Sequence, residues 1–297
     1  MTAPTLRPYQ RDAIAAVIAA RKRGVARQVI ALPTGAGKTV IFSRLASLAR
    51  HPVLILAHRA ELLEQAKNKL EAAGVSPVAI EQGSRRAPAG ARAVVASIRS
   101  LNPKRLARLL ERWSPRLVVY DECHHAPAED NTRVLEGLGV FAQDWPGTLV
   151  GFTATTARGD GVGLDRVFEE VVFKYGLPAL IREGYLSGLR GFRIATSSDL
   201  EEVSQITCSR GDLDLEALAE VVDVSERNGL VARSIQELAR DRRTIVFCVN
   251  VAHAKSLAAS LREVGIRAAA VYGSLDADER ARRLADFASG KLQAVTN

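Results

Sequence analysis

Short apolar runs alternate along this chain with longer stretches in which apolar positions recur every three or four residues. Gln28–Leu32, Val53–Ala57, Ala93–Ser97, Leu117–Tyr120 and Leu149–Phe152 are dominated by Val, Ile, Leu and Ala. Near-continuous runs of this length fit parallel strands buried on both faces. Between them, Lys38–Ala49, Arg59–Ala73 and Lys104–Trp113 read as helices. In the second of these, Leu62, Leu63, Ala66 and Leu70 fall on one face and charges on the other, the amphipathic pattern of a helix lying on a sheet. The alternation predicts an α/β domain whose parallel sheet carries helices on both faces.

Residues 186–228 break the pattern, with many acids and loop-forming pairs such as Ser198-Asp199 and Gly211-Asp212. A second alternation follows. Thr244–Val249, Ala268–Tyr272 and Leu292–Val295 read as strands, and His253–Val264 and Ala277–Ala288 as helices. Asp276, with Glu279 three residues on, has the spacing of a capping box. The expected organisation is a first domain over 1–180, a linker and lead-in segment over 181–240, and the N-terminal part of a second domain over 241–297. Three strands are too few to copy the first sheet, so the second domain is expected to be incomplete, truncated at its C-terminal end.

Composition changes this picture in two ways. The 297 residues carry a net charge of +8, and the charge is uneven. Residues 1–175 hold 25 basic against 16 acidic side chains, and the remainder 16 against 17. A basic first half suits a polyanion such as nucleic acid, although a high arginine content can also reflect base composition. The three cysteines, Cys123, Cys208 and Cys248, are far apart, which gives neither a disulfide framework nor a zinc spacing. With no membrane-length apolar run and no signal-peptide pattern, the expected setting is the cytoplasm, without a membrane partner.

The chemistry concentrates in two places. Leu32-Pro33-Thr34-Gly35-Ala36-Gly37-Lys38-Thr39 follows a strand and opens a helix. The glycines let backbone approach phosphate, and successive N–H groups at a helix start face the anion. Lys38 can then reach the β- and γ-phosphates, and the Thr39 hydroxyl can hold Mg²⁺. The general loop pattern places glycine where Leu32 stands. Further on, Leu117–Tyr120 ends in Asp121-Glu122. Acids at the carboxyl end of a parallel strand face the ligand crevice. Asp121 suits Mg²⁺, and Glu122 suits orienting and deprotonating an attacking water. Together the two stretches describe a site for ATP and Mg²⁺. Cys123-His124-His125 lacks a second ligand pair for a metal.

These residues resemble the superfamily 2 DEAD/DEAH-type helicases, in the branch related to DNA-repair helicases and type I/III restriction motor subunits. Leu6-Arg7-Pro8-Tyr9-Gln10 is similar to that branch's adenine-recognising opening, and Leu32–Thr39 to its motif I, in which Leu32 is tolerated. Leu56–Leu62 resembles motif Ia, Val95–Leu101 motif Ib, Asp121–His124 motif II and Thr153-Ala154-Thr155 motif III. Ile245–Cys248 with His253-Ala254 resembles motif IV. Thr156, in place of a usual proline, and Arg99, in place of a frequent glutamine, depart from the pattern. The resemblance implies tandem RecA-like P-loop domains and ATP hydrolysis coupled to movement on nucleic acid, with DNA favoured. It implies that Gln10 reads the base, that Arg59 and Ser97 lie along the strand, and that His124, Thr153 and Thr155 couple hydrolysis to strand contact. Motifs V and VI, with their arginine fingers, have no counterpart before Asn297. Three readings stay open: a helicase or translocase, an ATP- and nucleic-acid-binding module that turns over poorly without a partner, and a motor subunit working with other chains of a repair or restriction system.

Overall fold

The computed structural model describes residues 5–57, 60–154, 163–195, 208–209 and 212–297. Two compact units divide the chain, Met1–Leu189 and Arg190–Asn297.

In the first unit, helix α1 (Pro8–Lys22) leads into β1 (Arg27–Ala31), α2 (Lys38–Leu48), β2 (Val53–Ala57), α3 (Ala60–Ala72), β3 (Val78–Glu81) and β4 (Ala93–Ser97). After these come α4 (Pro103–Leu110), β5 (Leu117–Asp121), α5 (Glu129–Gly137), β6 (Thr148–Thr153), β7 (Glu170–Lys174) and α6 (Leu177–Arg182). The seven strands form one sheet in the order β3-β4-β2-β5-β6-β1-β7. Every described pairing in it is parallel. The central strands owe their apolar runs to their position: Val53–Ala57 and Ala93–Ser97 are buried along their whole length. One core layer gathers Ile14, Ile41, Phe42, Leu63 and Leu70 on one face of the sheet, and another gathers Leu106, Trp113, Leu135 and Phe168 on the other. Burial on both faces is why these strands show no alternation of apolar and polar residues.

The chain order around the sheet places three strand ends side by side. β6 lies between β5 and β1, so the loop after β1, the end of β6 and the acids ending β5 share one edge of the crevice. That is where doubly wound sheets bind ligands.

The second unit contains a three-stranded parallel sheet in the order Thr244–Val246, Ala294–Thr296, Ala268–Ala270. Helix Val251–Glu263 buries Leu257 and Leu261 against it, together with Ala232 of helix Ser225–Leu238. The sequence pattern assigns that last helix to the linker, whereas the structure packs it into the core of the second unit. Asp276 caps Ala277–Ala288 as expected, accepting from the N–H groups of Asp278 and Glu279. Glu279 does not complete a capping box. Its carboxylate reaches forward to Arg282 and Arg283 instead. No described helix is long and apolar enough to cross a membrane.

Candidate nucleotide site

The loop after β1 owes its shape to its glycines. Gly35 has φ +84° and Gly37 φ +79°, a left-handed conformation costly for other residues. A Cβ on Gly37 would lie 2.6 Å from Gln10 Nε2, and one on Gly35 would lie 3.1 Å from the Leu186 side chain. Gly37 is also the N-cap of α2 and offers no side-chain cap. The first N–H groups of α2 therefore have no partner within the helix and face the position an anion would take.

The segment before β1 braces this loop. Tyr9 Oη donates to the Ala36 carbonyl at 2.7 Å, and Gln10 Nε2 donates to the same oxygen at 3.3 Å. Gln10 Oε1 accepts from the Arg7 N–H at 3.0 Å. Tyr9 stacks on Tyr175 with ring centroids 5.5 Å apart and meets Tyr185 edge-on at 5.1 Å. The Arg7 guanidinium lies over the Tyr185 ring, 5.1 Å from its centroid. Tyr175 and Tyr185 thus buttress the loop from far along the chain. Sequence reasoning assigned them no such part, because nothing local in the sequence places them beside Tyr9.

The acids stand opposite. Lys38 Nζ lies 3.0 Å from Glu122 Oε1, with the lysine side chain only 11% exposed. Glu122 adopts φ +54°, a rare conformation for a non-glycine residue and one that marks strain at a site. Its other oxygen lies 3.4 Å from His124 Nδ1. Burial, and then the adjacent Glu122 carboxylate, push the Asp121 carboxyl above the ordinary carboxylate range. Lys38 and His124 offset this only in part, and a bound divalent ion would relieve the remainder. With Thr39 at the start of α2, the donor set is all oxygen, as Mg²⁺ requires.

Thr153 links the two sides. Its carbonyl accepts from the Leu32 N–H at 2.9 Å, and its hydroxyl lies 3.3 Å from His124 Nδ1. The structure therefore brings Gln10, Leu32–Thr39, Asp121, Glu122, His124 and Thr153 together. Ser97 ends β4, two strands from β5, and is 6% exposed. Arg59 and Thr155 lie outside the described residues. Cys123 is buried, its thiol pushed up by burial, and it packs beneath Gly151, where a Cβ would come within 2.6 Å of its Sγ.

A phosphate loop, a Lys-Thr pair and paired strand-end acids on a parallel sheet define a P-loop nucleotide-binding protein of the RecA-like type. Residues 3–158 match the family described as type III restriction enzyme, res subunit, and residues 227–296 match the helicase conserved C-terminal domain. The chain belongs to this family, within the superfamily 2 helicases. It is 31% identical over 303 residues to a putative mitochondrial ATP-dependent helicase, irc3, of Schizosaccharomyces pombe, in a match covering 98% of this chain and 49% of that one. It is 27% identical over 282 residues to the type I restriction enzyme EcoAI endonuclease subunit of Escherichia coli, covering 86% of this chain and 34% of that one. The chain thus spans half or less of these relatives. The crystal structure of the Pyrococcus furiosus Hef helicase domain aligns over 97% of this chain and 87% of that one, with a TM-score of 0.56 at 17% identity. That likeness shows the fold, a tandem RecA-like arrangement whose second sheet is small here.

Proposed function

We propose that the chain is the ATP-hydrolysing part of a helicase or translocase that acts on nucleic acid, with DNA the favoured substrate. The observation that carries this reading is the Lys38–Glu122 pair at 3.0 Å beneath the loop. It supports a reading in which Lys38 binds phosphate and Glu122 activates water from the two walls of one crevice, in a chain of the helicase family.

In this reading the N–H groups at the start of α2 and the Lys38 ammonium hold the triphosphate. Thr39 and Asp121 would hold Mg²⁺, which would supply positive charge to the bound triphosphate. Lys38 leaves Glu122 when it engages phosphate, and the freed carboxylate orients a water and accepts its proton. Gln10 retains one amide hydrogen and one oxygen lone pair beyond its bonds to Ala36 and Arg7. That donor–acceptor pair suits an adenine edge. Thr153, joined to both the loop strand and His124, relays a change at the phosphates toward the strand-contacting surface. Arg59, Ser97 and Thr155 are assigned to that surface and its coupling by motif resemblance. Similarity to the EcoAI subunit supports partner chains of a repair or restriction system.

The test is ATP-driven displacement of streptavidin from end-biotinylated single-stranded DNA. Displacement with ATP, and none with a non-hydrolysable analogue, is the expected result. Binding of both ligands without displacement would give the chain a holding role instead, and failure to bind either would overturn the reading.

A further inference from the structure

The basic charge of the chain is concentrated in one stretch. Residues 81–116 hold nine Arg or Lys and two Glu, a surplus of seven where the whole chain has +8. The fold gathers part of this surplus on one flank of the first unit. β3 is the sheet edge opposite the nucleotide loop, with β4, β2, β5 and β6 between it and β1. At roughly 4.8 Å per strand this flank lies about 24 Å from the loop strand, so it is no part of the nucleotide site.

The flank is a built structure. Glu81, at the end of β3, has a side chain 3% exposed and is ion-paired with Arg105 of α4. Its other oxygen accepts from the Ala87 N–H at 2.7 Å. Arg105 Nη1 donates to the Gly83 carbonyl at 2.9 Å, and Nη2 donates to the Arg85 carbonyl at 2.5 Å. One buried acid and one arginine thereby rivet the loop after β3 to α4. Neither has charge left to offer a ligand, so Arg105 is a positioning residue.

Arg108 and Arg112 line a cavity of about 210 Å³ beside Leu109 and Trp113; Arg86 stands on its wall but is held there, 3.8 Å from Glu81 and donating to the Gly83 carbonyl at 2.7 Å. Arg108 and Arg112 are exposed, and among the described residues neither is ion-paired. Arg112 follows the C-terminal end of α4, with its N–H bonded to the Leu109 carbonyl at 3.3 Å. Glu111 lies between Arg108 and Arg112 in sequence, and Glu81, the acid that lines the cavity, is already held by Arg105. The cavity also offers no base-stacking face. Trp113 is 4% exposed, and its Nε1 donates to the Ala91 carbonyl at 2.7 Å. Positive charge without an aromatic platform recognises phosphate rather than bases.

Arg108 and Arg112 stand about one helical turn apart, roughly 5–6 Å, which matches about two phosphates at 3.4 Å per nucleotide. α4 follows Ser97, which closes β4, by a short loop.

We propose that Arg108 and Arg112 form an accessory binding site for nucleic-acid backbone, which holds the strand or duplex flanking the segment gripped by the motor. The site reads no sequence. It lengthens the footprint and keeps the nucleic acid on the β3 side of the first unit. This inference rests on the nucleic-acid motor reading above.

The test is equilibrium binding of fluorescent DNA by the full-length protein over a salt series, with a short oligonucleotide and a much longer one. For R108E/R112E, affinity for the long DNA should fall roughly tenfold, and the slope of log affinity against log salt should drop by about 1.4 to 1.8, from two phosphate contacts at 0.7 to 0.9 each. Affinity for the short oligonucleotide should stay within twofold of the parent, and R108K/R112K should keep the parental slope, because phosphate accepts a point charge. If the charge reversal lowers the thermal midpoint, R108Q/R112Q replaces it, with the same reduced slope expected. A parental slope in the variants on long DNA would overturn this inference alone. An unaltered protein that binds no DNA would overturn the motor reading on which it rests.

Discussion

Lys38 Nζ and Glu122 Oε1 lie 3.0 Å apart although 84 residues separate them in sequence. The lysine begins α2 and the glutamate follows β5, and the sheet order puts only β6 between their strands. The pair holds each charge in the partly buried crevice by pairing it with the other. It also gives the site a defined first event, since phosphate must take Lys38 from Glu122. Lys38→Ala removes the charge that phosphate would meet. Affinity for ATP should fall roughly 10- to 100-fold, as expected for a hydrogen bond to a charged group. Titration with a fluorescent ATP analogue checks this, and parental affinity in the variant would remove Lys38 from the site.

Gly37→Ala probes the loop rather than the charge. The substitution forces a side chain into a left-handed conformation, at a cost of about 1–2 kcal/mol, and sets its Cβ 2.6 Å from Gln10 Nε2. Gln10 must then give up its bond to Ala36. The expected result is a lower thermal midpoint without ligand and loss of the stabilisation that ATP confers on the parent. A variant that ATP stabilises as much as the parent would show that the loop tolerates the shift.

A pH prediction follows for the second unit from His253. Burial holds its pKa below the ordinary value, against a smaller raising effect of Asp223, and the nearby Arg227 adds to the lowering. Its Nδ1 accepts from the Val249 N–H at 3.3 Å, which requires an unprotonated Nδ1. A histidine with a depressed folded pKa is fully stabilising above its unfolded pKa, about 6.5. The contribution declines as pH falls from there toward the folded pKa, because the unfolded chain takes up the proton first. The melting temperature should therefore decline between pH 7.5 and 5.5, and His253→Asn should flatten that decline. An unchanged slope in the variant would assign the pH response to other groups.

The strands at the centre of the first sheet and the whole nucleotide loop were legible in the sequence. Their apolar runs are complete, and the glycine spacing has one dominant structural meaning. The edges were not. Glu170–Lys174 begins and ends in charge because β7 is a half-covered edge strand, and Val78–Glu81 is only four residues long. Glu129–Gly137 buries only Asn131, Val134 and Leu135, too few apolar positions for a helical period to show. Ser225–Leu238 buries Asn228 and Ala232, so its face toward the second unit's core carries little hydrophobic signal. At the site, residues adjacent in a motif could be read from their spacing. The bracing of Ala36 by Tyr9, and of Tyr9 by Tyr175 and Tyr185, joins distant segments through packing that no local pattern encodes.

The most direct measurement of the central claim is steady-state ATP hydrolysis by the purified protein, with and without single-stranded DNA, beside Glu122→Gln. Turnover that rises with DNA, and falls by about 10²- to 10⁴-fold in the variant while ATP binding persists, is the expected result for loss of a general base. Turnover undiminished in Glu122→Gln would contradict the assignment of that carboxylate and of the crevice it shares with Lys38.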